Sequence, residues 1–499
     1  QQESSSGGQR YPGARQAIID NVNKGVLIMH YYGHGGEVGW AEERVLGLTD
    51  INAWENMDNL PVFVTATCEF SRYDDAERIS AGEQVFLNPK GAGIALFTTT
   101  RTISANDAKS LSETFYRYAI PETAGAILTF GEIMKGLKND LNLSGVYANK
   151  SRFTLLGDPA LKLPIPYLDV VVTEVLNLNT NQIDTIQALS KVRVKGAVLS
   201  KDGFIQDSFN GFLKPKVYDK PLQIQTLNND HENLEPFYFD LQQSILHSGN
   251  VSVENGLFEF EFIAPQDINF AEGFGKFSFY AYSDTDDAIG SYVDVVIGGF
   301  DENADQDEEG PIVELFLNHS DFRYGGITDS NPSLYAIISD DSGINTTGNG
   351  IGHDIVATID ENSQTSVVLN NYYESNIDSY QSGVLIYPYS NIEEGPHQLK
   401  LKVWDIHNNS TEAFTEFVVV SDGGLVLENM MNYPNPFSDF TRIHFEHNRS
   451  DEDLSVQLEI YDISGKLVRT INNSISQSSY ANSDFVWDGS SDDGAYVIS

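Results

Sequence analysis

Residues 25–36 read GVLIMHYYGHGG and residues 61–70 read PVFVTATCEF. Each opens with a short, nearly continuous apolar run, as expected of strands buried on both faces of a parallel sheet. A third run, Gly93 to Thr99 (GIALFTT), repeats the pattern. Between and after the runs, the spacing predicts helices. Asp107 is read as the N-cap of a helix carrying Ala108, Leu111, Phe115 and Tyr118 at helical spacing, and Ala124 to Lys138 as a second amphipathic segment. The first strand begins only about 25 residues into the chain, whereas strand and helix alternate in both directions in such sheets. The chain is therefore expected to lack the first part of its own α/β domain.

Outward from these strands the composition changes near residue 164. After Pro164 and Pro166 the helical signal ends, and alternating runs such as LFEFEFIA (257–264) and GKFSFYAYS (275–283) predict sandwich strands. The acidic stretch 301–309, followed by Gly310-Pro311, opens a second β unit that closes with HQLKLKVWDIHNN and FTEFVVV. After Asp422-Gly423-Gly424, a last unit holds a strand, turn and strand at 454–471 with Ser464-Gly465 at the tip. It stops at Ala495–Ser499 in mid-strand, so a few further residues are expected. The predicted architecture is multidomain: an α/β part (1–163), β-sandwich domains at 164–300 and 301–421, and a C-terminal β unit at 427–499.

Chain-wide numbers narrow the function. At 499 residues and 55.3 kDa, several domains are expected. With 72 acidic against 30 basic residues the net charge is −42, which repels phosphate backbones and excludes nucleic acid as a natural partner. No apolar run approaches the ~18 residues of a spanning helix. Residues 1–8 (QQESSSGG) carry neither the charged nor the apolar region of a signal peptide. Cys68 is the only cysteine, so no disulfide within the chain is possible.

Two chemical groups stand just beyond strand ends: His34 after the first run and Cys68 after the second. The crevice outside the carboxyl ends of parallel strands is where ligands bind in open α/β sheets. If the two strands are neighbours, imidazole and thiol share one crevice, and a thiol beside an imidazole is an activated nucleophile. Gly35 and Gly36 allow close approach of backbone to substrate, and the amides of Gly35 and Cys68 are placed to donate to an oxyanion. The competing reading is a buried cysteine packed as a small hydrophobe and a His-Gly-Gly sequence that only turns. Acids near in sequence for orienting His34 are Glu37, Glu42, Glu43, Glu69, Asp74 and Asp75, and a dyad without an acid is equally open. Trp40 after a glycine turn reads as packing before pocket lining. Asp301, Asn303, Asp305, Asp307 and Glu309 alternate in a pattern able to wrap Ca²⁺, against the alternative of a solvated linker; the mid-loop glycine of an EF-hand is missing. Asp340-Asp341 and His353-Asp354 read as turn residues.

The runs VLIMHYYGHGGEVGW, PVFVTATCEFSRYDD and FTLLGDPALKLPIP (153–166) resemble the gingipain family of caspase-like cysteine peptidases. The resemblance implies His34 as base and Cys68 as nucleophile, with Gly157-Asp158-Pro159 structural. MNYPNPFSDFTRIHFE, LEIYDISGKLV and Trp487-Asp488-Gly489 are similar to the sorting domain of the type IX secretion system of Bacteroidetes. The segments EGPIVELFLN and FRYGGITDSNPSLYAIISDDSGINTTGNGIGHDI are similar to the sortase branch of that peptidase family. The combined resemblance implies a surface enzyme, peripheral to the outer membrane. It would cleave sorting domains from cargo through a thioester and transfer the cargo to anionic lipopolysaccharide. It would keep its own sorting domain, docked on the barrel protein PorV beside PorQ and PorZ, and would need no cofactor. The alternatives are a secreted gingipain-like endopeptidase and, from another class, a non-catalytic adhesin or scaffold.

Overall fold

In the computed structural model, parallel pairing of the three apolar runs builds the first unit. The structure describes residues 3–5, 8–120, 127–140, 147–227, 235–346, 352–362, 365–420, 427–447, 453–476 and 481–496. The chain divides into two compact units, Gln1–Ile165 and Pro166–Ser499.

In the first unit, strands β1 (Ile28–Tyr32), β2 (Val62–Ala66) and β3 (Ala95–Thr99) lie side by side and parallel, in that order. A fourth strand, β4 (Phe153–Leu156), joins antiparallel to β3. This strand lies just before the Gly157-Asp158-Pro159 sequence, and its apolar tetrad is too short to announce a strand. β2 and β3 are buried at every position, the outcome expected of strands covered on both faces. β1 alternates between half-buried and exposed residues, because it forms the edge of the described sheet.

Side-chain alternation along β2 divides the core into two layers. Val62 and Val64 face Leu111, Phe115, Phe130, Ile133 and Leu137, supplied by helices α1 (Ala105–Ala119) and α2 (Phe130–Asn139). Phe63 faces the other way, among Trp40, Trp54, Phe70 and Val85. The first predicted helix starts earlier than expected. Ser104 is its N-cap, with the hydroxyl accepting from the Asp107 amide at 3.2 Å, and Asp107 sits in the first turn where its charge suits the helix dipole. The second starts later than Ala124: Thr129 caps it in a reciprocal box with Glu132. Residues 121–126 lie outside the described part. No helix among the described residues is long and apolar enough to cross a membrane, which leaves strand-built spans unaddressed.

The second unit is β-rich. Leu168–Asn177 and Lys191–Leu199 belong to an eight-stranded sheet with Leu257–Ile263 and Lys276–Tyr282, where Phe258, Phe260 and Phe262 share one buried face. Four- and five-stranded sheets between Ile312 and Val419 enclose a second core around Leu334, Ile338, Leu401 and Phe417. The last part pairs Leu454–Tyr461 with Leu467–Ile475 across a turn where Gly465 takes φ +81°. Its core is small, built on Ile443, Phe445 and Phe485. The two larger cores are tied by Asn250 and Ser252: their amides donate to Ser375 Oγ at 3.0 Å and Asp378 Oδ1 at 2.7 Å.

One carboxyl in the second sandwich carries a pH signature. Burial pushes Asp340 up to about 6, reinforced by the negative charges of Asp405 and Asp307 and opposed by the amides of Ser342 and Gly343. A folded-state value above the ordinary 3.8 means the protonated form is the one the fold favours. That contribution is complete below the unfolded value and is lost as pH rises through about 6. Asp340→Asn keeps the amide acceptor and removes the charge. It is expected to raise the unfolding temperature at neutral pH by roughly 2 to 5 °C and to flatten its dependence on pH above 5, read by calorimetry. A variant melting at or below the parent temperature at neutral pH would contradict this.

Candidate active site

The histidine loop leaves β1 through Gly33, where a Cβ would stand 2.8 Å from the Tyr31 hydroxyl. Only glycine lets that hydroxyl reach over and donate to the His34 carbonyl at 2.6 Å. The Ala41 amide donates to the same carbonyl at 2.8 Å. Tyr31 stacks on the buried Trp40, ring centres 4.5 Å apart and 5° from parallel, so Trp40 is a packing residue. Burial raises the Tyr31 phenol to about 12, with the Glu43 charge acting in the same sense, so this donor stays protonated at physiological pH. Gly35–Gly36, Gly39–Trp40 and Leu46–Gly47 then form a small antiparallel sheet. The backbone at His34 is thereby fixed, while its imidazole is exposed and makes no hydrogen bond to any described residue.

The cysteine loop leaves β2 and is held from both sides. The Thr99 hydroxyl donates to the Thr67 carbonyl, and the Ser71 amide donates to the Thr99 carbonyl at 2.9 Å. The buried hydroxyls of Thr65, Thr98 and Ser71 form a chain with links of 2.7 and 2.9 Å. Phe70 is completely buried, and its carbonyl accepts from the Gly82 amide at 2.8 Å. Between these anchors Cys68 is half-buried, its thiol 3.7 Å from the Ile103 carbonyl. Its amide donates to no acceptor among the described residues. Glu69 follows with φ +53°, a left-handed conformation uncommon for a residue with a Cβ. Strain of this kind next to a reactive side chain recurs at functional sites.

Register brings the two loops together. Tyr32 pairs with Ala66 in the parallel ladder, so His34 and Cys68 each lie two residues beyond matched strand ends. Direct contact follows: a Cβ on Gly35 would meet the Thr67 hydroxyl at 2.6 Å, so the histidine-loop backbone runs against the residue preceding Cys68. That hydroxyl is buried without a hydrogen-bond partner. Glu37 adds an ionic tie. Its carboxylate, only 10% exposed, accepts from Arg72 at 2.8 Å and Arg78 at 3.1 Å, both beyond Cys68 in the chain. Nothing in the sequence spacing signals this tie or the Gly35–Thr67 contact.

Each remaining acid has a place. Asp74 pairs with Arg101, Glu69 lies 4.0 Å from Arg72, and Asp75 caps the Glu77 amide. None of these, nor Glu37, Glu42 or Glu43, is hydrogen-bonded to the His34 ring. A cavity of about 710 Å³ opens beside His34, walled by the loop from Gly35 to Thr49.

The acidic stretch behaves differently from the wrapped-cation pattern. Of its five residues, only Asp307 joins a group with metal-ligating geometry among the described residues, together with Asp405 and His407. Asp301 and Asp307 each use one oxygen to cap the amide two residues on, those of Asn303 and Glu309. Both oxygens of Asp405 accept from Asn409 at 2.7 Å. Two carboxylates already engaged and an imidazole do not fit the oxygen cage of about six to eight ligands that Ca²⁺ takes. His353, read as a turn residue, is hydrogen-bonded through Nδ1 to Asp267, and Trp404 lies against its ring at 4.4 Å.

Residues 1–164 match the model of peptidase family C25, and residues 431–497 that of the secretion system C-terminal sorting domain. The chain thus joins a region matching a C25 peptidase model, β-rich domains and a region matching a sorting-domain model. It is similar to dimeric latent PorU from Porphyromonas gingivalis, at 26% identity over 95% of this chain and TM-score 0.34. The chain spans 43% of the length of that PorU chain. It is also similar to the pro- and mature domains of RgpB from Porphyromonas gingivalis, at 16% identity over 55% of this chain and 57% of that one, TM-score 0.28. No curated protein sequence matches.

The Glu37 tie makes a direct prediction. Glu37→Ala leaves two guanidinium groups without their shared acceptor and is expected to destabilise the chain by about 1–3 kcal/mol, measured by urea unfolding. Stability within a few tenths of a kcal/mol of the parent would show that the tie holds nothing.

Proposed function

We propose that this protein is a cell-surface cysteine peptidase that acts as a sortase of the type IX secretion system. In this reading it cleaves the sorting domain from secreted cargo and passes the cargo, through a thioester on Cys68, to an amine of anionic lipopolysaccharide. The observation that carries the proposal is the placement of His34 and Cys68 two residues past register-matched ends of neighbouring parallel strands, in a chain that also carries a sorting domain.

Cys68 attacks the scissile carbonyl, with His34 taking the thiol proton and returning it to the leaving amine. The free Cys68 amide, with that of Gly35, is positioned to meet the developing oxyanion. A thioester then awaits its acceptor, and exclusion of water decides between transfer and hydrolysis. The sorting domain is proposed to dock the enzyme on the outer-membrane barrel protein PorV, beside PorQ and PorZ. The second reading is a secreted gingipain-like endopeptidase whose sorting domain is removed. The sortase reading expects the mature protein to retain residues 431–497, and intact mass of the protein from cells decides between the two.

The catalytic assignment is tested by an irreversible thiol reagent on the native protein. Cys68 is expected to label at neutral pH, and His34→Ala to slow that labelling at least tenfold. Turnover is expected to fall by about 10² or more in His34→Ala and to vanish in Cys68→Ala. Labelling seen only after unfolding, or untouched by loss of His34, would overturn the dyad and favour a scaffold.

A further inference from the structure

The cavity beside His34 is asymmetric with respect to the proposed dyad. His34 is part of its wall and Cys68 is not. In acyl transfer through a thiol, the acyl group stays on sulfur, while the group that leaves, and later the group that enters, exchanges its proton with the imidazole. Space on the imidazole side therefore serves the amine side of the reaction. From this we propose that the cavity is the amine subsite: it holds the first residue released on cleavage, and afterwards the primary amine that takes the acyl group.

Its lining suits such an occupant. The volume of about 710 Å³ lies within the range of ligand pockets and far exceeds what a water needs. Val38, Ala41 and Leu48 offer apolar surface to a side chain. Glu42 and Arg44, both exposed and without an ion-pair partner among the described residues, supply one charge of each sign. A carboxylate free of its own partner can receive the protonated form of the amine before the imidazole side of the crevice deprotonates it. Ala41 and Arg44 hold left-handed conformations, φ +59° and +54°, which fix the shape of this wall. Gly36 borders the space, and a Cβ there would meet nothing within 4 Å.

The chemistry balances without another reactant. In acylation the Cys68 Sγ–carbonyl bond forms, the C–N bond breaks, and His34 delivers the proton to the departing nitrogen. In transfer the incoming amine bonds to the carbonyl carbon, the C–S bond breaks, and the amine proton passes by way of His34 to the thiolate.

This inference rests on the Cys68–His34 assignment, and its test separates the two. The full chain is acylated with an activated p-nitrophenyl ester, whose leaving group needs no amine subsite, and the acyl-enzyme is challenged with equal concentrations of glycinamide and leucinamide. Wild type is expected to prefer the bulkier amine, giving several-fold more leucinamide product. Gly36→Leu, which narrows the cavity, is expected to reduce that preference at least fivefold, and Val38→Phe, at an exposed position of the wall, to act in the same direction. An unchanged product ratio in both variants, or no preference in wild type, would overturn the inference. Absence of a covalent acyl adduct on Cys68 by mass spectrometry would instead overturn the catalytic assignment beneath it.

Discussion

The parallel ladder that sets Tyr32 beside Ala66 governs this molecule's proposed chemistry. A parallel pair fixes which residues leave the sheet at the same level, and a slip of one position would turn every side chain of the strand to the opposite face. Phe63 and Phe97 cannot exchange faces with their neighbours without emptying one core layer and overfilling the other. Hydrophobic packing on both sides of β2 and β3 thus specifies a polar juxtaposition that neither loop could hold by itself. The exposed imidazole and half-buried thiol are placed by residues that make no chemical contribution.

Below the loops, the ties differ in kind. The cysteine loop is held by buried hydroxyls and backbone amides around Thr98, Thr99 and Ser71. These neutral bonds, shielded from solvent, are little affected by salt. Glu37 contributes a charge-assisted link to two half-exposed arginines, which is screened more readily. The backbone positions are consequently robust, while the ionic tie across the loops is the part that solution conditions can tune. The β-rich unit shows a related division: a large apolar core in each of the two bigger sandwiches, and a sorting domain whose core rests on three buried residues.

Much of this was legible in the sequence, because strands buried on both faces leave uninterrupted apolar runs and sandwich strands leave alternating ones. Val62–Ala66 and Leu257–Ile263 are the clearest cases. His34 and Cys68 stood out because each interrupts the chemistry of a run at its carboxyl end. What escaped was set by distance along the chain. β4 is a tetrad whose partner is more than fifty residues away, and Glu37 meets arginines 35 and 41 positions later. The helix start at Ser104 was misplaced by three residues because two residues with capping side chains compete there, and only the backbone decides between them. The alternating acids at 301–309 looked like a cage in one dimension; in three, Asp301 and Asp307 each turn one oxygen to the amide two residues on, and only Asp307 meets other ligating groups among the described residues.

The contact between Gly35 and Thr67 reaches beyond the geometry of one molecule. A side chain at 35 would strike the Thr67 hydroxyl at 2.6 Å, and that hydroxyl gives up hydrogen bonding to occupy its place. A Cβ at 35 would also stand 2.9 Å from the Gly39 carbonyl, so shedding the Thr67 branch does not by itself open the position: backbone and side chain together hold residue 35 to glycine in any relative that shares this arrangement. Position 67 is the freer of the two, since its hydroxyl is buried without a hydrogen-bond partner, so variation should appear there while residue 35 stays fixed.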